Sequence, residues 1–358
     1  MITPQPFIGP WKLADIGKIR KNGLRAFSCF HCGGGSTMGY KLAGFDVLGG
    51  VEIDPQMMAL YRENHHPKHS YLMGVGDFNA LADDTLPAEL FDLDILDGSP
   101  PCSVFSMAGK REKKWGKETH FREGQARQVL DDLFFTFIDT AAKLKPKVIV
   151  AENVKGLILG NAKGYVLQIF AAMRAIGYRP QLFLLNASRM GVPQRRERTF
   201  FVATREDLDA APLKLEFIEP VVTIAQAFEG VAAEDQRQAG PKVNQQWHRT
   251  KPGDSFSKSH PRGSMFNLIK LHPDTASNTL TAACHLYRWD APRLITQAEA
   301  IRLQSFPDDY HRIKRGNATD MRYVCGMSVP PFMTQRVALE IGRQVFGLDY
   351  DRTRRPLA

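Results

Sequence analysis

The sequence predicts an α/β protein: a mostly parallel, doubly wound sheet followed by a smaller, loop-rich region. Two patterns carry that prediction. From Leu24 to about Thr204, short apolar runs alternate with longer stretches of helical period, the arrangement of β-α-β units. After about Arg205 the texture changes, and residues 242–293 are rich in Pro, Gly, Ser, Asn, His and isolated aromatics, with little helical period.

In chain order, LRAFSCF (24–30), FDVLGGVEI (45–53), DLDILDG (92–98), KPKVIVAEN (145–153), YRPQLFLLN (178–186) and RTFFVAT (198–204) read as strands, most of them apolar enough for burial on both faces. Between them, QMMALYREN (56–64), VLDDLFFTFIDTAAKL (129–144) and VLQIFAAMRAIG (166–177) read as helices, as do TQAEAIRLQSF (296–306) and TQRVALEIGRQVF (334–346) near the end. In open sheets of this kind ligands bind outside the carboxyl ends of the strands, so the residues just after each strand become the candidates.

The chain has 358 residues, room for two domains at about 100–200 residues each. No apolar run reaches the roughly 18 residues of a membrane span, and the N-terminal stretch lacks the apolar core of a signal peptide, so neither spanning nor secretion is expected. Five cysteines are too few and odd in number for a disulfide framework, and a reducing cytoplasm is expected. Cys29 and Cys32 form a C-x-x-C with no second pair at metal spacing, which favours ordinary buried or loop thiols over a metal site. The net charge of +9 points to a polyanionic partner. Residues 242–293 hold eight Lys/Arg against three Asp, and residues 109–128 hold seven Lys/Arg against three Glu, so two segments carry most of that charge.

The chemistry-bearing residues sit where the strands should end. The first strand runs into FHCGGGSTMG, whose glycines let backbone N–H groups approach a ligand. The next ends in Glu52, an acid placed to accept ribose hydroxyls, and Asp77 could hold an adenine amino group. A glycine loop with a ribose acid suits either a dinucleotide or S-adenosylmethionine. A later strand ends DILDGSPPCSVFS, where two prolines stiffen the backbone before Cys102, a thiol that would need a lowered pKa or a nearby base to act as nucleophile. Glu152-Asn153 closes the following strand, and Gln194, Arg195, Arg196 and Arg198 precede another. If that strand has begun by then, the side chains of Arg196 and Arg198 share one face and could clamp a carbonyl or phosphate.

The order and wording of these motifs resemble the cytosine carbon-5 DNA methyltransferases. The resemblance rests on F-x-x-G-G-G at 30–35, the acid Glu52, P-P-C at 100–102, E-N-V at 152–154, Q-x-R-x-R at 194–198, L-Q-S-F-P at 303–307 and G-M-S-V-P-P at 326–331. It implies a Rossmann-like methyltransferase domain, residues 1–205 with 318–358, closed by the last motif packing beside the first strand. A smaller target recognition domain, residues 206–317, would face double-stranded DNA across a cleft. Cys102 would attack carbon 6 of a flipped-out cytosine while Glu152 engages ring nitrogen 3 and the exocyclic amine. Arg198 would hold the ring carbonyl, and Arg196 would order the catalytic site. S-adenosyl-L-methionine, becoming S-adenosyl-L-homocysteine, would lie against Phe30, Gly33, Gly34, Gly35, Glu52, Ile53, Asp77, Phe78, Pro101, Leu133, Ser328 and Val329. DNA would meet Ser106, Lys110, Arg111, Gln194 and Thr279, the first three belonging to or bordering a mobile loop over the cleft. No metal is implied. A monomeric cytoplasmic enzyme, bacterial or phage-encoded, is the expected setting, and a restriction-modification system, a phage and an orphan regulatory role all stay open as its context.

Three positions depart from the family pattern. Cys32 stands where a Gly is usual, Ser103 where Gln commonly follows the nucleophile, and Met327 where Asn commonly follows Gly326. The last two should lie near the transferred methyl, and losing both amides is expected to relax selectivity between cofactor variants. Alternatives within reach are a tRNA-methylating enzyme of the same superfamily and a non-catalytic DNA-binding relative; the basic middle segment favours DNA, and the intact set Cys102, Glu152, Arg196 and Arg198 favours catalysis.

Overall fold

The computed structural model describes residues 9–101, 118–119, 128–129, 133–159, 163–232, 234–310 and 320–350. The main sheet has seven strands: β1 (Arg25–Cys29), β2 (Asp46–Glu52), β3 (His69–Leu72), β4 (Ile95–Gly98), β5 (Val148–Val154), β6 (Tyr178–Asn186) and β7 (Glu197–Arg205), in the spatial order β3-β2-β1-β4-β5-β7-β6. From β3 to β5 every neighbouring pair is parallel; β7 runs antiparallel to both β5 and β6. The α/β, mostly parallel architecture is therefore as expected. The order reverses at β1, whose carboxyl end lies between those of β2 and β4, the position where open sheets hold ligands.

Helices follow as α1 (Leu13–Ile16), α2 (Gly35–Leu42), α3 (Pro55–His65), α4 (Val75–Ala80), α5 (Leu133–Leu144), α6 (Lys163–Ala175), α7 (Ile224–Ala227), α8 (Pro241–Gln246), α9 (Gln297–Leu303), α10 (Met321–Met327) and α11 (Pro331–Phe346). The central strands are hydrophobic on both faces, and their alternate residues enter different cores. Val148, Val150, Phe200 and Val202 join the cluster that includes residues of α2, α3 and α11, whereas Ile149, Ala151, Phe201 and Ala203 join the one that includes residues of α4, α5 and α6. That period of two is what burial on both faces requires.

Two details refine the expectations. β6 is an edge strand, half-buried over most of its length and containing Pro180, which cannot donate to a sheet ladder and is tolerated at an edge. The strand containing RTFFVAT begins at Glu197, so Arg196 precedes it and does not share a strand face with Arg198. Helix α10 was not anticipated; its seven residues, MRYVCGM, are too short and too mixed to show a period, and Asp320 caps it by accepting from the Arg322 N–H. Beyond β7, Leu213, Ile224, Leu271, Leu280 and Ile295 pack into the same cluster as the sheet, while Ala239, Val243, Trp247, Phe256 and Tyr287 form a small cluster of their own.

Candidate active site at the carboxyl edge of the sheet

The loop after β1 is built from unusual backbone. Phe30, Cys32 and Gly34 all take positive φ (56°, 48° and 75°), and Gly34 is the N-cap of α2. Only glycine fits at Gly34, since a Cβ there would sit 2.3 Å from His65 Nε2. At Gly35 a Cβ would come within 2.0 Å of the Val329 carbonyl oxygen, so the segment following α10 lies directly against the loop. From beneath, the Tyr310 hydroxyl donates to the Gly33 carbonyl and lies 3.2 Å from His65 Nε2. His31 stacks on Tyr61 at 3.7 Å between ring centroids.

Glu52, at the end of β2, is buried. Its carboxylate accepts from the backbone N–H groups of Cys32 (2.9 Å), Ile53 (2.9 Å) and Asp54 (3.0 Å), which ties the glycine loop to the neighbouring strand. Burial raises its pKa more than these N–H donors lower it. Asp77 lies exposed in the first turn of α4, beside buried Phe78, and Leu133 opens α5 half-buried. Ser328 and Val329 are buried, and Ser328 Oγ has no hydrogen-bond partner among the described residues. An acid at the strand end, strained open backbone and an unsatisfied hydroxyl form a donor set that suits a nucleoside-bearing cofactor.

Across the switch point the residues are charged and buried. Glu152 on β5 and Arg198 on β7 form an ion pair, Arg198 Nε to Glu152 Oε1 2.9 Å. The register pairs Val154 with Arg198, so Glu152 and Arg198 are diagonal neighbours on one face. Glu152 Oε1 has no aligned hydrogen-bond donor, and Arg198 Nη1 donates to the Glu197 carbonyl, leaving Nη2 free among the described residues. Asn153 Nδ2 donates to the Pro100 carbonyl at 3.1 Å, and Thr199 Oγ1 donates to the Asn153 carbonyl at 3.0 Å, so the ends of β4, β5 and β7 are stitched together. Asp97, buried on β4, accepts from the hydroxyls of Ser28 and Tyr40, and burial pushes its pKa up to about 6.

Arg196 turns away from that pair. Its guanidinium donates to the carbonyls of Leu280 (3.0 Å), Gly326 (3.2 Å) and Ser328 (3.1 Å), joining the chain at residue 280 to the end of α10 and the segment after it. Burial, with nearby Arg198, lowers its pKa to about 9, which still leaves it charged at neutral pH. Gln194 is 0% exposed: its amide donates to the Leu303 carbonyl and Gln304 Oε1 and accepts from the Leu280 N–H. Thr279 donates its hydroxyl to the Arg195 carbonyl. These three side chains therefore brace the edge from behind. Sequence reasoning missed His65 and Tyr310 as parts of this edge; no local spacing announces them.

Cys102, Ser103, Ser106, Lys110 and Arg111 lie outside the described residues. Cys29 and Cys32 are free thiols, and burial pushes the Cys32 thiol up to about 12 and Cys29 higher still, so neither is a ready thiolate. Among the described residues no group of three or more His, Cys, Asp or Glu could hold a metal ion, and no helix is long and apolar enough to cross a membrane.

Comparison with known proteins places this geometry. The C-5 cytosine-specific DNA methylase profile matches residues 24–237 and 229–343. The Type II methyltransferase M.NgoFVII of Neisseria gonorrhoeae is 29% identical over 357 residues, covering 92% of this chain and 89% of that protein. The Type II methyltransferase M1.HphI of Haemophilus parahaemolyticus is 28% identical over 338 residues, covering 88% and 86%. In fold, the chain is similar to a prophage-encoded E. coli protein described as a DNA modification methyltransferase (TM-score 0.70, 19% identity, 90% of this chain and 100% of that one). On the extent of the profile match and the sheet edge it spans, the chain belongs to the C-5 cytosine-specific DNA methylase family.

Proposed function

We propose that the protein methylates carbon 5 of cytosine in double-stranded DNA through a covalent bond between Cys102 and carbon 6. The observation that carries this reading is the Glu152–Arg198 pair at the sheet edge, linked through Asn153 to the Pro100 carbonyl two residues before Cys102. A single cytosine ring needs just these groups around it. The Cys102 thiolate adds to carbon 6 and breaks the ring's aromaticity. Glu152 hydrogen-bonds the exocyclic amine and ring nitrogen 3, and a free N–H of Arg198 holds the ring carbonyl, so the charge that develops as sulfur adds meets preorganised partners. S-adenosylmethionine, when bound, supplies a methyl on a sulfonium that carbon 5 accepts, leaving S-adenosylhomocysteine. Loss of the carbon-5 proton then releases the Cys102 sulfur and restores the ring.

Phe30, Gly33, Gly34, Gly35, Glu52, Ile53, Asp77, Phe78, Pro101, Leu133, Ser328 and Val329 would hold the cofactor, with Glu52 on the ribose hydroxyls. Arg196, Gln194 and Thr279 act as positioning residues, and Ser106, Lys110 and Arg111 as DNA contacts. The catalytic domain comprises residues 1–205 and 318–358 and the recognition domain residues 206–317. A base inside a duplex cannot meet a nucleophile, so the target flips out at a cost of a few kcal/mol. The relatives' designation as Type II methyltransferases supports a place in a restriction-modification system. Incubating the protein with duplex DNA and methyl-labelled S-adenosylmethionine should deposit 5-methylcytosine at one recurring sequence; label on tRNA and none on duplex DNA would refute the proposal.

A further inference from the structure

The recognition segment presents one side chain the chemistry above does not use. Phe266 is 76% exposed, although it sits in a tightly braced loop. Phe256, at the loop's start, is fully buried in the small cluster with Trp247 and Tyr287, and its N–H donates to the Leu268 carbonyl at 2.9 Å, closing the loop. Ser255 Oγ donates to the carbonyls of both Met265 (3.2 Å) and Phe266 (2.7 Å), and Met265 takes a positive φ of 73°. A non-glycine residue held in that region is strained. The chain thus holds the Phe266 backbone in place and leaves its ring in water.

Single exposed apolar residues are common and need no explanation by themselves. The charge around this one distinguishes it. Arg249, Lys251, Lys258 and Arg262 are all exposed on the same segment, against Asp254, which pairs with Lys258. Ile218 is the useful contrast: it is 90% exposed but lies between Glu216 and Glu219, where no polyanion would settle. An exposed apolar ring on a stretch of chain rich in exposed cations fits a ligand that is anionic outside and apolar within, which describes the phosphates and stacked bases of DNA.

We propose that Phe266 is a DNA-reading residue, its ring seated against bases near the target while Arg262 and neighbouring lysines contact phosphates. This deepens the methyltransferase reading and rests on it for the identity of the DNA. The test is the affinity of wild type, Phe266→Ala, Phe266→Trp and Arg262→Ala for the methylated target duplex across several salt concentrations. Phe266→Ala should weaken binding about ten- to a hundred-fold with the slope of log affinity against log salt unchanged, because a base contact releases no counterions. Phe266→Trp should restore most of the loss, and Arg262→Ala should lower the slope by about one. Since Phe266 is exposed, melting temperature should stay at the wild-type value, which separates lost contact from lost fold. Binding of Phe266→Ala within about two-fold of wild type, or a change in its salt slope, would overturn the proposal. Wild-type methyl transfer, measured separately, reports on the enzyme assignment, so the two ideas fail independently.

Discussion

The sheet edge and the segment around Phe266 solve opposite problems. At the edge, charged groups are withdrawn from water and held by partners far away in sequence: Glu152 by Arg198, the Arg196 guanidinium by carbonyls at 280, 326 and 328. In residues 248–268 the cations stand in solvent, and a cluster of five buried residues suffices to hold the loops. Chemistry needs fixed charges in a dry site, where each hydrogen bond counts for more; recognition of a polyanion needs charges that water can screen and DNA can displace. Damage should therefore propagate through the edge and stay local in residues 248–268.

The sharpest break between them is catalytic. Glu152→Gln keeps the shape but loses the proton exchange, and kcat should fall about a hundred- to ten-thousand-fold while duplex affinity is kept; a comparable fall in Phe266→Ala kcat at saturating DNA would erase the distinction. Next comes stability. Arg196→Met leaves the buried carbonyls of Leu280 and Gly326 without their donor, while the Ser328 carbonyl keeps Gln304, and should cost about 3 kcal/mol in urea unfolding, whereas Arg262→Ala should stay within about 0.5 kcal/mol. A smaller effect tests the local cluster: Phe256→Leu should cost about 1–1.5 kcal/mol and weaken DNA binding without changing cofactor affinity, read by calorimetry with each ligand.

A pH-dependent effect concerns the packing under the glycine loop. Burial pushes His31 down to about 4, below its unfolded value of about 6.5, so the unfolded chain takes up a proton first as pH falls. Its contribution is intact above about pH 6.5 and is lost as pH falls toward 4. Asp97, raised by burial to about 6, acts in the opposite sense over part of that range, so the clean measurement is a difference. His31→Phe keeps the stack on Tyr61 and removes the proton; as pH falls through that window its stability relative to wild type should rise by about 1 kcal/mol per pH unit. Parallel pH profiles would show that His31 does not titrate on unfolding.

Much of this was legible from sequence because it is local. The apolar runs placed six of the seven main-sheet strands, and the acid Glu52, the glycines 33–35 and Glu152 announced themselves by lying just past apolar runs. What escaped depends on chain segments meeting across long separations. Tyr310 reaches the Gly33 carbonyl across 277 residues, and Asn153 reaches Pro100 across 53, distances at which no periodicity operates. Gln194, expected to meet DNA, spends its amide on residues 280, 303 and 304 because burial leaves it no solvent-facing alternative. Arg196 and Arg198 look alike in sequence, and a strand that starts one residue after Arg196 sends them to different tasks.

The central claim is that Cys102 attacks the base beside Glu152 and Arg198. The direct measurement is to incubate the protein with S-adenosylmethionine and target duplex in which the methylated cytosine is 5-fluorocytosine, whose carbon 5 has no removable proton, and to weigh the product by mass spectrometry. The expected product is a denaturation-resistant species with the mass of protein, oligonucleotide and one methyl group, absent from Cys102→Ser. An adduct that survives in Cys102→Ser, or none from a preparation that methylates ordinary DNA, would contradict it.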